Sequence, residues 1–398
     1  MPSRSTFILI ICLAVVAVLL GLNYFLQPFR DFSLAQPSPL PEVIVSQPVE
    51  DIVASVWSSA TPEEKIAGLL AAPLRVTSVS TFSAQPASPS NVQDWIAETK
   101  PGFVTLFGTQ ITFTQAESVI DSLKSLPDFT VPLFVAVDHE GGTVQRLSGA
   151  GFTRLPTWRQ LCLLDDQTLQ STIATSSAEL RAAGIDVVFA PDLDVSVANR
   201  PLQSRICSGE AEIVATKGGI AALTMEEAGL IPVLKHFPGI GATTRDLHNS
   251  FDTVAISATD VLPFRAVLSA APSAAVMIAP VGVTNQFAEI PCVLSEACID
   301  QLKASYPATL IYSDALEMEA VYYQPPAEDG SELPPLTLSA VSLQALLAGN
   351  DVLVYGASVT TAELDEVISF LATAYQENET FRAKVDASLE KIALTKQP

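Results

Sequence analysis

Histidine is scarce in this chain: three residues in 398, at positions 139, 236 and 248. Basic residues are also few, 21 lysines and arginines against 43 aspartates and glutamates, for a net charge of -22. Nothing offers the cationic surface that phosphate backbones require, so a nucleic-acid partner is excluded. The balance fits a body exposed to water. Five cysteines occur, and their spacing, with no histidine close by in sequence, is not that of a zinc site. No glycine fingerprint marks a first strand–helix turn, which argues against a dinucleotide fold. No internal repeat is evident. No metal and no cofactor are expected.

What is present begins with Phe7–Leu26, twenty positions without a charged residue. That length crosses a bilayer as a helix. Arg4 precedes it, while Arg30 and Asp31 roughly cancel after it, favouring an N-terminus inside and a body outside. A cleaved signal peptide, giving a secreted protein, is the alternative, but the apolar stretch exceeds the usual ~7–15 residues. Cys12 lacks small residues before it, which argues against a lipid-anchored cysteine. Residues 27–50 carry prolines 28, 37, 39, 41 and 48 and read as a semi-extended spacer. The expected organisation is a cytoplasmic tip (1–6), a transmembrane anchor (7–26), a proline-rich linker (27–50) and an extracytoplasmic body (51–398).

Within the body, short apolar runs alternate with segments of helical period. Candidate strands are Gly68–Leu74, Phe103–Phe107, Leu133–Val137, Val187–Ala190, Val233–Phe237, Ala275–Ala279, Thr309–Ser313 and Val352–Tyr355. Between them lie helix-like stretches such as Ala116–Leu126, Leu169–Ala183, Ala211–Ala228 and Ala362–Tyr375. Eight strands with intervening helices point to an α/β fold, a single (β/α)8 TIM-type barrel. Four of these strands end in charged residues: Asp138 after LFVAV, Asp192 and Asp194 after VVFAP, Lys235 and His236 after LIPVL, and Asp314 after TLIYS. A barrel enzyme gathers its working groups at such carboxyl ends. Gln324–Leu336, polar and rich in proline, reads as a surface loop. Cys162, Cys207, Cys292 and Cys298 allow three disulfide pairings, and reduced thiols are equally compatible with the sequence.

Two of the three histidines fall within KHFPGIGATTRDLH, residues 235–248. His248 lies two positions after Asp246, a spacing that points both side chains the same way in an extended loop. An aspartate beside a histidine fixes the ring and stabilises its protonated form, which suits general acid–base work. Pro238, Gly239 and Gly241 mark this stretch as a loop.

From Thr61 to Lys396 the chain resembles the retaining β-N-acetylglucosaminidases of glycoside hydrolase family 3. The resemblance runs through TPEEKIAGLL, VTLFG, VAVDHEGGTVQRL, ELRAAGIDVVFAPDLDV, KHFPGIGATTRDLH, VLPFRAVL, LIYSDALEM and AGNDVLV. It implies a (β/α)8 barrel acting on a carbohydrate, an amino-sugar glycan or a wall fragment. A second sandwich domain is not expected, since 84 residues follow Asp314. The resemblance implies Asp314 as nucleophile, and Asp246 with His248 as the acid–base pair. It also implies substrate contacts at Lys235, His236, Asp138, Arg146 and Arg205. His139, Glu140, Asp192 and Asp194 are expected to be structural. Ile240, Leu247, Thr143 and Pro280 depart from the family's usual residues at their positions. Two other functions share these residues: a phosphorylase using phosphate in place of water, and an inactive barrel that only binds glycan.

Overall fold

The computed structural model describes residues 56–76, 92–197, 201–284, 290–325 and 333–396. The proposed anchor Phe7–Leu26 and the spacer 27–50 lie outside the described residues. Among the described residues, no helix is long and apolar enough to cross a membrane.

Eight short strands form the centre: β1 Leu70–Arg75, β2 Phe103–Phe107, β3 Phe134–Val137, β4 Val187–Val188, β5 Ile231–Phe237, β6 Ala275–Ile278, β7 Ile311–Ser313 and β8 Leu353–Val354. Their residues are mostly buried on both faces, so the runs are apolar throughout rather than alternating. All neighbours pair in parallel, in chain order, and β1 closes on β8 through Leu70↔Leu353 and Ala71↔Val354. The last seam, β7 to β8, is a single bridge, Tyr312↔Val352. Side chains reinforce that seam, where the Ser313 hydroxyl accepts the Val354 amide at 2.9 Å. The result is a nearly closed parallel barrel of the (β/α)8 kind. All described residues fall within one compact unit, Glu50–Pro398.

Each expected strand is present: Phe103–Phe107 keeps its bounds, the strand expected at Val233–Phe237 begins earlier at Ile231, and the other six are shorter or shifted. Gly68 belongs to the preceding turn, because its amide bonds Glu64 at 3.0 Å and closes the helix Pro62–Ala67. Helices at Phe113–Lys124, Asp166–Ala182, Ala211–Glu227 and Thr361–Glu377 cover the barrel outside. Thr112 and Thr360 open two of them with capping boxes to Gln115 and Glu363, satisfying the first free amides. Aromatic rings fill the interior, where Phe103 and Phe189 both meet Tyr312 edge-on, at 5.7 and 5.9 Å. At the amino-terminal end of the strands, buried Lys396 bonds the carbonyls of Gly102 and Pro132 and lies 4.1 Å from the Phe103 ring centroid.

The two disulfides are Cys162–Cys207 and Cys292–Cys298, one of the three pairings left open by the sequence. The first anchors the long segment after β4. The loop after β5 runs from Pro238 to Phe251. Its base needs Gly241, since a Cβ there would lie 2.0 Å from the Val195 carbonyl oxygen. Asp252 ties the far end by accepting the amides of Thr244 at 2.7 Å and Arg245 at 3.1 Å.

Candidate active site

The carboxyl ends of the strands surround a cleft of about 490 Å³. Asp138, Arg146, Arg205, Lys235, His236, His248 and Asp314 all line it, although they come from segments up to 176 positions apart in sequence. Convergence of this kind is what a parallel barrel provides, because every strand delivers its last residue to the same rim. Asp246 stands behind His248 rather than in the wall.

Asp314 is held at the end of β7 by its amide, which donates to Ile278 of β6 at 3.0 Å. Its Oδ1 accepts the Ala315 amide at 2.8 Å, which leaves Oδ2 as the less committed oxygen. His248 lies on the loop after β5, with Nδ1 2.7 Å from Asp246 Oδ1, and the same oxygen accepts the His248 amide at 3.0 Å. Those bonds draw the Asp246 carboxyl below its usual range against the opposing effect of burial. Both side chains are open to water, His248 at 66% and Asp246 at 53%. The loop docks on the segment after Asp314 through Glu319 to His248 (3.3 Å) and Ala320 to Leu247 (3.2 Å). Phe251 stacks on Tyr323 with ring centroids 3.8 Å apart, joining the same two segments. Ile240 and Leu247, the apolar departures in this loop, are buried beneath it, which accounts for their character.

The opposite wall is a charge network centred on Glu140. Its carboxylate accepts Arg205 Nε and Nη2, each at 2.9 Å, and lies 2.6 Å from Lys235 Nζ. Lys235 also bonds Asp138 at 3.1 Å, and Arg146 reaches Asp138 at 3.3 Å. Burial alone would raise both carboxyls, but Arg205 and Lys235 hold Glu140 down, and Lys235 with Arg146 does the same for Asp138. Lys235 in turn is kept charged despite burial by Glu140 and Asp138. Glu140, expected from the sequence to be structural, is the anion that orients both cations. Its signal was adjacency to Asp138 and His139 at the end of a barrel strand.

His236 lies beneath, with Nδ1 2.7 Å from Asp194 and Nε2 3.1 Å from Arg205. Burial, then the nearby guanidinium, lowers its pKa to about 4, so the ring is neutral at pH 7. Burial raises Asp194 to about 6, opposed by its bond from the Ile240 amide, and raises Asp192 further with help from Asp194. Donor atoms of Asp192, Asp194 and His236 lie within 4.8 Å of one another, close enough to ligate a cation. The Arg205 guanidinium, 3.8 Å from Asp192, already supplies positive charge there, and Asp194 and His236 satisfy each other. The trio fits a hydrogen-bonded support better than a metal centre. His139 is buried among packing residues, with Nε2 3.0 Å from Ser176.

Glu317, three residues beyond Asp314, also lines the cleft and was not singled out from sequence. It accepts the Gly356 amide at 2.9 Å, and burial raises its pKa. Arg75, Phe107, Phe189 and Met277 complete much of the wall.

Residues 61–394 match the profile of the Glycosyl hydrolase family 3 N terminal domain. The chain belongs to glycosyl hydrolase family 3. Beta-hexosaminidase LpqI of Mycobacterium tuberculosis is 29% identical over 282 residues, covering 67% of this chain and 69% of that one. A beta-hexosaminidase of Xanthomonas oryzae pv. oryzae is 30% identical over 245 residues, covering 58% and 72%. Among solved structures, M. tuberculosis LpqI superposes with a TM-score of 0.73 at 25% identity, over 87% of this chain and 96% of that one. Beta-N-acetylhexosaminidase from Beutenbergia cavernae gives 0.71 at 25% identity, over 84% and 98%. This family 3 chain is therefore a glycosidase whose relatives carry the name β-hexosaminidase.

Proposed function

We propose that this family 3 enzyme removes terminal β-linked N-acetylhexosamine from glycans or peptidoglycan fragments by a retaining double displacement. The supporting observation is that Asp314 and His248 open onto one cleft, the histidine carrying an aspartate partner at 2.7 Å. Asp314 attacks the anomeric carbon and forms a glycosyl-enzyme, while His248 gives a proton to the departing oxygen. The same histidine then takes a proton from water, and the second displacement restores the original anomeric configuration. Asp246 orients the ring and stabilises the imidazolium that donates in the first step and is restored by the second; in the glycosyl-enzyme between them the ring is neutral and ready to act as base. Lys235, Arg205, Arg146 and Asp138 hold the sugar hydroxyls from the opposite wall, with His236 supporting Arg205.

The cellular setting is part of the same proposal: an uncleaved helix at Phe7–Leu26, a spacer at 27–50 and a catalytic barrel at 51–398 outside the cytoplasm. Two disulfides in the barrel support an oxidising compartment. Comparing turnover of aryl β-N-acetylglucosaminide with that of aryl β-glucoside tests the substrate class. Activity on the glucoside alone overturns it, and a sugar phosphate produced on adding phosphate would replace hydrolysis by phosphorolysis. A barrel that binds both but cleaves neither would be a glycan-binding protein.

A further inference from the structure

Asp194 is wholly buried and does not line the cleft, yet it is bonded to both halves of it. Its Oδ2 lies 2.7 Å from His236 Nδ1, and its Oδ1 accepts the Ile240 amide at 2.6 Å. Ile240 opens the loop that carries Asp246 and His248. On the other side of the imidazole, Arg205 Nη2 lies 3.1 Å from His236 Nε2. Guanidinium nitrogens only donate, so Nε2 must present its lone pair, and the proton of the neutral ring must reside on Nδ1. That proton points at Asp194. One tautomer satisfies every partner, and the carboxylate is the group that selects it.

We propose that Asp194 is a positioning residue: it sets the His236 tautomer that receives Arg205 and anchors the base of the acid–base loop. The proposal rests on the glycosidase reading of the cleft for its kinetic consequence, but not for its spectroscopic one. Asparagine at 194 keeps the volume and loses one acceptor. If its oxygen serves Ile240, its NH2 faces His236 Nδ1, the ring proton moves to Nε2, and two donors confront each other at Arg205. If the amide is reversed, the Ile240 N–H meets a donor instead. Either orientation loosens Arg205 or the loop without touching substrate.

The experiment is two-bond 1H–15N correlation spectroscopy on the full chain labelled at histidine, where three rings make assignment by His139 and His248 variants practicable. The unmodified protein at pH 7 should show His236 as a neutral ring protonated at Nδ1. A ring protonated at Nε2, or an imidazolium, overturns the proposal without any variant. Asp194→Asn should shift the tautomer or disorder the ring, and raise KM on an aryl glycoside roughly ten- to hundred-fold, as losing a hydrogen bond to a charged group implies. A role in stability alone would reduce the folded fraction while leaving KM and the His236 signals of the folded fraction unchanged, and that outcome also refutes it. An unmodified protein that shows the expected tautomer but has no glycosidase activity would count against the proposed function and leave the tautomer assignment standing.

Discussion

Replacing Glu140 with glutamine changes one oxygen for an NH2 and should disturb the cleft more than any other isosteric change. The carboxylate side chain is 1% exposed and its partner Lys235 3%, so water cannot compensate for what is lost. Three charge-assisted contacts converge on it, two from Arg205 at 2.9 Å and one from Lys235 at 2.6 Å. Glutamine retains one acceptor and turns a donor toward Arg205 or Lys235, leaving two cations in a poorly solvated wall. Breaking a buried pair from one side costs about 3–5 kcal/mol. For a barrel of this length, with an unfolding entropy of ~2.1 cal/mol/K per residue, that corresponds to a fall in Tm of about 4–7 °C. Urea denaturation at pH 7 gives the free energy directly, provided the slope m is unchanged. The same variant should raise KM because Arg205 and Lys235 lose their alignment, while kcat on an activated aryl glycoside falls less. A destabilisation below about 1 kcal/mol, with KM unaltered, would refute the view that Glu140 organises this wall.

Asp314→Ala should abolish turnover with little loss of Tm, and more than a few per cent of residual activity would remove it as nucleophile. His248→Ala should harm a disaccharide far more than a nitrophenyl glycoside, with a glycosyl-enzyme on Asp314 visible by mass spectrometry; equal losses and no adduct would exclude acid–base catalysis by His248. Burial lowers His139 to about 4 from 6.5, so the folded state resists its protonation. Its contribution is complete above pH 6.5 and declines as pH falls toward 4, by about 3 kcal/mol at most, and urea midpoints in His139→Gln should show a shallower acid slope. Cys162–Cys207 closes a sequence separation of 45 residues, for about 4 kcal/mol of stability in the chain-entropy view. Since Cys207 follows Arg205 by two positions, replacing both cysteines with alanine should also raise KM. Peptide mapping that finds another pairing would overturn this.

The eight-stranded plan was legible because buried parallel strands leave apolar runs, and each run ends where the chain meets the rim. Polar residues at those ends, Asp138, Lys235, His236 and Asp314, are therefore marked by the sequence pattern alone. The pattern Asp246-x-His248 was legible for a local reason, since two positions in extended chain already place the groups together. Strand bounds were less so: Val187–Ala190 contracts to Val187–Val188, because pairing depends on the neighbouring strand and not on the run's own composition. Glu140 and Arg205 are 65 positions apart, and Asp194 and His236 are 42 apart. Nothing local marks either contact, and only closure of the barrel brings them within hydrogen-bonding distance. The cysteine pairing was open for the same reason. What the sequence determined by itself was the set of strands and the residues they deliver, through hydrophobic pattern and short-range spacing. Which delivered residues share a proton, and which buried carboxylate supports which cation, was decided by tertiary structure, because hydrogen bonds act over about 3 Å and the chain must first bring distant strand ends that close.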